Sequence, residues 1–239
     1  MCIFISMKLK LFFSLFFTFI FFTVIGTLTH EYGHYFAGKL VGISSTVHYS
    51  YTDIEEFPRY PEVDEIYKTY KQQIEAKQDF PLKQRFETLV KDSDQKYFYF
   101  TIGGPLQTML TGTIGLLLMI VYRKTFFATN TLNVRQWLLI FLSLFWLREL
   151  ANCVVLMAML LFTNKRSFYS DEVKIAEYFG WHFTSVSIMT AIMALIIGLI
   201  ITFKFVPAAQ RKFFIAAGFA GGIVGYILWL YIIGPIILP

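Results

Sequence analysis

Five long apolar runs, separated by polar segments, dominate the hydrophobic pattern of the chain. The first run, residues 11–28, carries no charge. As a helix rising 1.5 Å per residue it would span about 27 Å, close to the hydrocarbon thickness of a bilayer. The other runs have comparable lengths and cover residues 98–122, 137–162, 183–202 and 213–238. We therefore predict an all-α polytopic membrane protein with about five transmembrane helices.

The segment between the first two runs, residues 42–97, is the only extended polar part of the chain. β-branched and aromatic residues at 41–52 favour a short strand or hairpin, and residues 82–90 favour a short amphipathic helix on the membrane surface. We predict a small extramembrane insertion. The predicted organisation is a first transmembrane helix at 1–41, the insertion at 42–97, core helices two and three at 98–181, and two C-terminal transmembrane helices at 182–239.

The third run is interrupted by polar residues near its middle. Arg148 and Glu149 are adjacent, so they cannot face each other on one helix. Glu149 and Asn152 lie three residues apart, which lets both line the interior of a helix bundle. We predict that these residues pack the bundle by pairing with groups on other helices, with a catalytic role for Glu149 as the alternative.

The last run contains two pairs of glycines four residues apart, Gly218/Gly222 and Gly221/Gly225. Small residues at this spacing let membrane helices approach each other closely. We predict that both pairs serve helix packing, with no chemistry implied.

The composition excludes an ordinary soluble protein. Hydrophobic residues make up 56% of the chain, 27 residues are Phe, and 15% are charged, a balance typical of a chain that lies in a bilayer. The net charge of +5 is expected for spans flanked by Lys and Arg, so we predict no nucleic-acid partner. The two cysteines, Cys2 and Cys153, form no metal-binding or disulfide pattern. We expect a multi-pass protein in contact with lipid, in a bacterial-type cell membrane.

Residues 30–34, just after the first apolar run, are His-Glu-Tyr-Gly-His. On a helix His30 and His34 share a face, so both imidazoles can bind one metal ion. Glu31 lies one step around and can take a proton from water, as in the H-E-x-x-H pattern of zinc proteases. The alternative is a chance polar cluster that anchors the helix at the membrane surface. Ionisable residues in a lipid-embedded helix favour the functional interpretation, and we predict a Zn²⁺ site.

A catalytic zinc ion normally has a third protein ligand. Because successive spans alternate in direction, the loops at 38–98 and 164–181 fall on one side of the membrane, the side towards which His34 points. Glu149 lies deeper and is therefore less suited. The residues alone leave six acidic or histidine candidates open: His48, Glu149, Asp171, Glu172, Glu177 and His182.

Three segments of the chain resemble the site-2 protease family of intramembrane zinc metalloproteases. HEYGHYFAGKLVGI, followed by a strand-like segment, resembles the opening of that family's core. GGPLQTML resembles its GPLAN-type motif at the start of the second core helix. Residues 164–171 resemble the segment that supplies the third zinc ligand in the family. The similarity covers roughly residues 10–180.

The resemblance implies a set of residues and roles. His30, His34 and Asp171 would bind zinc, with Glu172 as the next candidate for the third ligand, and Glu31 would be the general base. In this chain Thr108 stands at the usual Asn position of the GPLAN-type motif, and Glu172 replaces the usual Gly after the aspartate. The substrate-binding residues that the resemblance implies are Gly104, Gln107 and Thr108.

We therefore expect an intramembrane zinc metalloprotease that hydrolyses peptide bonds of membrane-embedded or membrane-proximal protein substrates. The strand-like segment at 41–52 is suited to hold an unwound substrate by strand addition. The alternative is a catalytically inactive relative that binds membrane proteins or peptides, which the changes at Thr108 and Glu172 motivate. A transporter is less consistent with the sequence, because the spans lack distributed polar residues and paired discontinuous helices.

Overall fold

The structure is a computed structural model and describes residues 2–58, 60–128, 130–163 and 170–239. It is mostly helical, with one short hairpin after the first helix. In chain order the elements are α1 (Cys2–Leu40), β1 (Ser44–Val47), β2 (Thr52–Glu56), α2 (Pro61–Glu75), α3 (Lys83–Val121), α4 (Arg123–Phe127), α5 (Val134–Ser143), α6 (Leu147–Thr163), α7 (Asp171–Tyr178), α8 (Ser185–Ile200), α9 (Ala208–Ile227) and α10 (Gly234–Ile237).

Five helical segments among the described residues are long and apolar enough to cross a membrane. The predicted fold class is confirmed, and the segments indicate a multi-pass membrane protein. The first has 33 residues and a length of about 50 Å, which exceeds a hydrocarbon core of about 30 Å, so α1 must tilt or protrude. The five segments are Lys8–Leu40, Lys83–Val121, Val134–Thr163, Ser185–Phe205 and Ala208–Ile237.

The predicted strand segment forms a two-stranded antiparallel hairpin. Val47 pairs with Thr52 and Ser45 with Ile54, with an irregularity between Ser44 and Ser45. Among the described residues the two strands pair only with each other. The outer edge of each strand is therefore without a neighbouring strand.

The hairpin turn is attached to the C-terminal part of the bundle. The Tyr49 backbone N–H donates to the Leu238 carbonyl at 3.0 Å, and the Trp229 indole N–H donates to the Tyr49 carbonyl at 2.8 Å. The hairpin is thus held at one end of the bundle by groups from the last span.

The polar stretch before the second span and the span itself form one continuous helix, α3. We predicted a separate short helix at 82–90 followed by a span beginning at residue 98, and this division is wrong. Residues 83–102 contain neither Gly nor Pro, so no residue in this stretch favours a helix end. Pro105 lies inside α3, which membrane helices tolerate where neighbouring helices pack against them.

The start of α3 packs against α2 through a well-formed ion pair. Arg85 donates from Nη2 to Glu62 Oε2 at 2.8 Å and from Nε to Glu62 Oε1 at 3.1 Å. The hydrogen bond from Arg85 also holds the pKa of the Glu62 carboxyl below its usual value. The insertion is therefore tied to the start of the second span.

The third span bends at a 3₁₀ turn. Helices α5 and α6 are joined by Leu144–Trp146, and α5 begins with a capping box in which Asn133 and Gln136 exchange side-chain to backbone hydrogen bonds. Helix α6 starts at Leu147, so Arg148 and Glu149 lie in its first turn.

Helix α1 makes two close helix crossings. A Cβ atom at Gly33 would lie 2.5 Å from the Gly103 carbonyl oxygen of α3. Cβ atoms at Gly221 and Gly225 of α9 would lie 2.6 Å and 3.0 Å from backbone atoms of α1. The packing role of the Gly221/Gly225 pair is confirmed, whereas Gly222 faces open space.

Candidate metal centre

The H-E-x-x-H residues lie near the end of α1, on the face turned into the bundle. His30, Glu31 and His34 are buried, with exposed fractions of 1%, 4% and 5%. Tyr32, which points the other way, is 46% exposed. The helix therefore turns the three ionisable side chains away from lipid and towards α3, the hairpin and α7.

Asp171 joins the two histidines from a distant part of the chain. It is the first residue of α7, whose start is capped by the hydrogen bond from the Val173 backbone N–H to Ser170 Oγ. Asp171 Oδ2 lies 3.1 Å from Nε2 of both His30 and His34, and the two Nε2 atoms are 3.3 Å apart. In the described parts of the chain, this is the one group of three such side chains that could hold a metal ion.

The outer nitrogen of each imidazole has its own partner on α3. His34 Nδ1 lies 2.9 Å from the Phe100 carbonyl oxygen, which can only accept, so Nδ1 of His34 carries a hydrogen. His30 Nδ1 lies 2.9 Å from the Thr108 hydroxyl, which can accept in the same way. In these tautomers Nε2 of each ring has no hydrogen. Its lone pair points towards the other Nε2 and towards Asp171 Oδ2. Metal-binding histidines usually have their second nitrogen bonded in this manner.

The geometry of the three atoms fits a divalent cation. Three lone-pair atoms that face one another repel unless a metal ion or a proton lies between them. Around a tetrahedral zinc ion, ligand atoms lie roughly 3.3–3.5 Å apart, close to the separations of 3.1 Å and 3.3 Å in this cluster. Two imidazoles and a carboxylate suit Zn²⁺ and other first-row divalent ions alike, so the identity of the metal is not set by the donor atoms.

Gly104 forms the wall of the cluster on α3. A Cβ atom at this position would lie 2.3 Å from His34 Nε2 and 2.6 Å from His30 Nε2. Both distances are shorter than real Cβ contacts, so the imidazoles would have to move. Any residue larger than Gly at position 104 would therefore enter the space where the ring nitrogens converge. The absence of a side chain at Gly104 leaves this space open.

Glu31 lies beside the cluster and is held by two other elements. The Thr52 hydroxyl of β2 lies 3.0 Å from the Glu31 carbonyl oxygen and 3.1 Å from Glu31 Oε2. Arg148 of α6 brings Nη2 to 3.6 Å from Glu31 Oε1. The hairpin and the third span therefore meet at this carboxylate.

The structure separates Asp171 from the other five candidates for a third ligand. Glu172 is buried but accepts a hydrogen bond from Asn152 Nδ2 at 3.0 Å. Glu149 is buried on α6 outside the group of three. Glu177 and His182 are exposed. His48 lies in the hairpin turn, where it stacks on Tyr51 with ring centroids 4.4 Å apart.

The two other residues of the GPLAN-type segment have partners inside the protein. Thr108 is 1% exposed and its hydroxyl faces His30, while Gln107 donates to the Thr111 hydroxyl at 3.0 Å. The side-chain oxygen of Gln107 is buried without a partner among the described residues. Substrate binding by Gly104, Gln107 and Thr108 stays a prediction.

Two residues that contact Glu31 were not predicted from the sequence as residues of the site. Thr52 carries no signal of its own, because a Thr in a strand is common. Arg148 did carry a sequence signal, since an ionisable residue within a span indicates function by default. We interpreted it as a packing residue. The structure places its guanidinium next to the candidate base.

Part of the segment that resembles the family's third-ligand region, residues 164–169, lies outside the described residues. Comparisons with protein-family models, with characterised proteins and with solved structures find no match to this chain.

Proposed function

We propose that this chain is an intramembrane zinc metalloprotease that hydrolyses peptide bonds of membrane-embedded or membrane-proximal segments. The observation that carries the proposal is the convergence of His30, His34 and Asp171 on one point, with the buried Glu31 next to His30 on α1. The resemblance of residues 10–180 to site-2 proteases supports the same assignment. The proposal extends to a bacterial-type cell membrane as the location.

The residues divide the chemistry between them. A zinc ion bound there would polarise the scissile carbonyl and acidify a water molecule. Glu31 does not belong to the His30/His34/Asp171 group. Its carboxylate would accept the proton of that water and transfer it to the leaving amine. Burial of Glu31 keeps bulk water away from this exchange.

The hairpin supplies a means of holding the substrate. A transmembrane helix satisfies its amide groups internally and must be unwound locally before hydrolysis. The hairpin has an outer strand edge that could pair with an extended peptide, and Thr52 at the start of β2 already contacts Glu31. A peptide paired along the hairpin would therefore run close to the candidate base.

The first test is metal content. The unaltered protein, purified in detergent, is expected to contain about one zinc ion per chain. Asp171→Ala and His34→Ala are expected to lose it. A hydrogen-bonded His/His/Asp cluster without metal would give no stoichiometric ion in any variant.

The second test is Glu31→Gln, which keeps the shape of the side chain but removes the base. Cleavage of a membrane-tethered reporter should be abolished while the zinc content is unchanged. Glu177→Gln, an exposed glutamate on α7, is the matched control and should cleave normally. Zinc binding without cleavage in the unaltered protein would favour the inactive, peptide-binding relative instead, and cleavage by Glu31→Gln would contradict the proposal.

A further inference from the structure

Arg148 is a charged residue within a membrane span, next to the candidate base. It follows the 3₁₀ turn that separates α5 from α6, and its side chain is 25% exposed. A guanidinium in this setting is costly unless its donors are used. Arg148 Nη2 lies 3.6 Å from Glu31 Oε1, and Glu31 directly follows His30 of the candidate metal cluster on α1.

The hydrogen-bonding capacity of Arg148 is largely unused within the described residues. A guanidinium has five N–H donors. Nη1 lies 3.4 Å from the Thr27 hydroxyl, Nη2 lies 3.6 Å from Glu31 Oε1, and the buried Nε has no partner among these residues. A separation of 3.6 Å is too long for a hydrogen bond, so no contact engages the guanidinium strongly.

A second arginine of this protein, Arg85, forms a hydrogen-bonded ion pair and serves as a comparison. Arg85 donates two hydrogen bonds to the Glu62 carboxylate, from Nη2 at 2.8 Å and from Nε at 3.1 Å, although both side chains are about half exposed. Arg148 and Glu31 are more buried and yet further apart. Glu31 is also bonded to Thr52, so Arg148 is not needed to hold it. A role as a simple charge partner therefore leaves the geometry of Arg148 unexplained.

We propose that Arg148 is a further catalytic residue, which donates hydrogen bonds to the carbonyl oxygen of the peptide bond that is cleaved. This inference rests on the proposed protease function. During hydrolysis this carbonyl oxygen, located between Glu31 and the candidate metal cluster, would gain negative charge. Free guanidinium donors stabilise developing negative charge, so the oxygen is a suitable acceptor for Arg148.

The electrons and protons of the step balance without a further reactant. The water oxygen forms a bond to the carbonyl carbon, and the water proton passes to Glu31. The carbonyl electron pair moves onto the oxygen, where the Arg148 N–H groups stabilise it. The pair then re-forms the C=O bond, the C–N bond breaks, and the amine takes the proton from Glu31. Arg148 stays protonated throughout.

The kinetic test uses Arg148→Lys and Arg148→Gln in the full-length protein. Lys keeps the charge beside Glu31 but loses the fork of donors, so this variant should fold and bind zinc. We expect kcat for the membrane-tethered reporter to fall about 10²–10³-fold in both variants, with KM changed by less than about threefold. Arg135→Gln, an exposed arginine at the start of α5, is the control and should keep its kcat.

A binding test separates contact with the substrate from an effect through Glu31. A phosphinic pseudopeptide matched to the reporter's cleaved bond mimics the charged tetrahedral oxygen. Its Kd is measured in Glu31→Gln and in the double variant Glu31→Gln/Arg148→Gln, neither of which needs to turn over. We expect the Kd of the double variant to be at least about tenfold higher, with about one zinc ion in each.

Each result decides between alternatives. An equal Kd in the two backgrounds, or a kcat of Arg148→Lys within about threefold of the unaltered enzyme, overturns the role of Arg148 while the protease function stands. Loss of zinc from Arg148→Lys also overturns it, since the residue would then be structural. An unaltered protein that neither binds zinc nor cleaves the reporter overturns the proposed function and this inference together.

Discussion

At the scale of single residues, the orientation of each imidazole depends on the atom bonded to its Nδ1. The Phe100 carbonyl and the Thr108 hydroxyl hold the rings of His34 and His30 from α3, so that both Nε2 atoms face Asp171. Thr108 stands where the family resemblance has an Asn, and its position against His30 suggests a use for this change. A hydroxyl at that distance can orient the imidazole of His30, which is how a second partner fixes a histidine that binds a metal.

Gly104 offers a test of the cluster that leaves all its polar groups in place. In Gly104→Ala the new methyl group would lie 2.3 Å from His34 Nε2, so it should push the rings apart and weaken zinc binding by more than about tenfold. Competition with a zinc chelator of known affinity measures the change.

The matched control is Gly222→Ala, because a Cβ atom there meets nothing within 4 Å. This variant should bind zinc as the unaltered protein does and be slightly more stable, since Ala is favoured over Gly in a helix by about 0.5–1 kcal/mol. Equal zinc affinity in Gly104→Ala and Gly222→Ala would contradict the position assigned to the cluster.

At the scale of elements, the site depends on how three parts of the fold approach α1. The contact at Gly33 and Gly103 lets α3 come close enough for Thr108 and Phe100 to reach the imidazoles. The hairpin reaches Glu31 through the Thr52 hydroxyl. Because the hairpin is short, its position depends on anchoring as much as on its own pairing.

The anchor of the hairpin is testable with Trp229→Phe. This change removes the indole N–H that donates to the Tyr49 carbonyl while keeping an aromatic ring. The loss of a buried hydrogen bond of about 1 kcal/mol should raise the hydrogen-exchange rates of the hairpin amides roughly fivefold. Exchange measured by mass spectrometry on peptides that cover 44–56 reports the effect.

Trp146→Phe is the control, since it removes a comparable bond, from Nε1 to Thr113 Oγ1, that does not involve a hairpin residue. Hairpin exchange should not change in this variant. If both substitutions accelerate hairpin exchange equally, the effect is general destabilisation and the anchoring role is wrong.

At the scale of the whole molecule, contacts near the two ends of the bundle agree with five alternating spans. The hairpin turn contacts Leu238, and Phe98 stacks on Tyr178 of α7 with ring centroids 4.1 Å apart. These groups would share one side of the membrane with the metal cluster near it. On the opposite side Phe126 of α4 packs against Phe205, with ring centroids 5.3 Å apart.

Cysteine labelling tests this arrangement. With Cys2 and Cys153 replaced by Ser, a membrane-impermeant maleimide should label Glu56→Cys and Glu177→Cys from the same side of sealed vesicles. Lys124→Cys and Ala209→Cys, also at exposed positions, should be labelled only from the other side. Labelling of Glu56→Cys and Lys124→Cys from one side would contradict five alternating spans.

The sequence by itself determined the features that depend on neighbouring residues. The apolar runs set the five spans, because each needs only enough consecutive apolar residues to cross a bilayer. The four-residue spacing of His30 and His34 put both rings on one face of α1, and the β-branched stretch predicted the hairpin. The continuous helix α3 was missed, since the change from polar to apolar residues at position 98 looked like a boundary although nothing there ends a helix.

Only the tertiary structure decided what depends on contacts between distant residues. Asp171 is 141 residues from His30, and six candidates were open until the packing of α7 brought this one to the histidines. Thr108 reaches His30 across 78 residues, and Arg148 on α6 lies beside Glu31 on α1. Such contacts depend on how whole helices cross, and no local pattern of residues encodes a crossing.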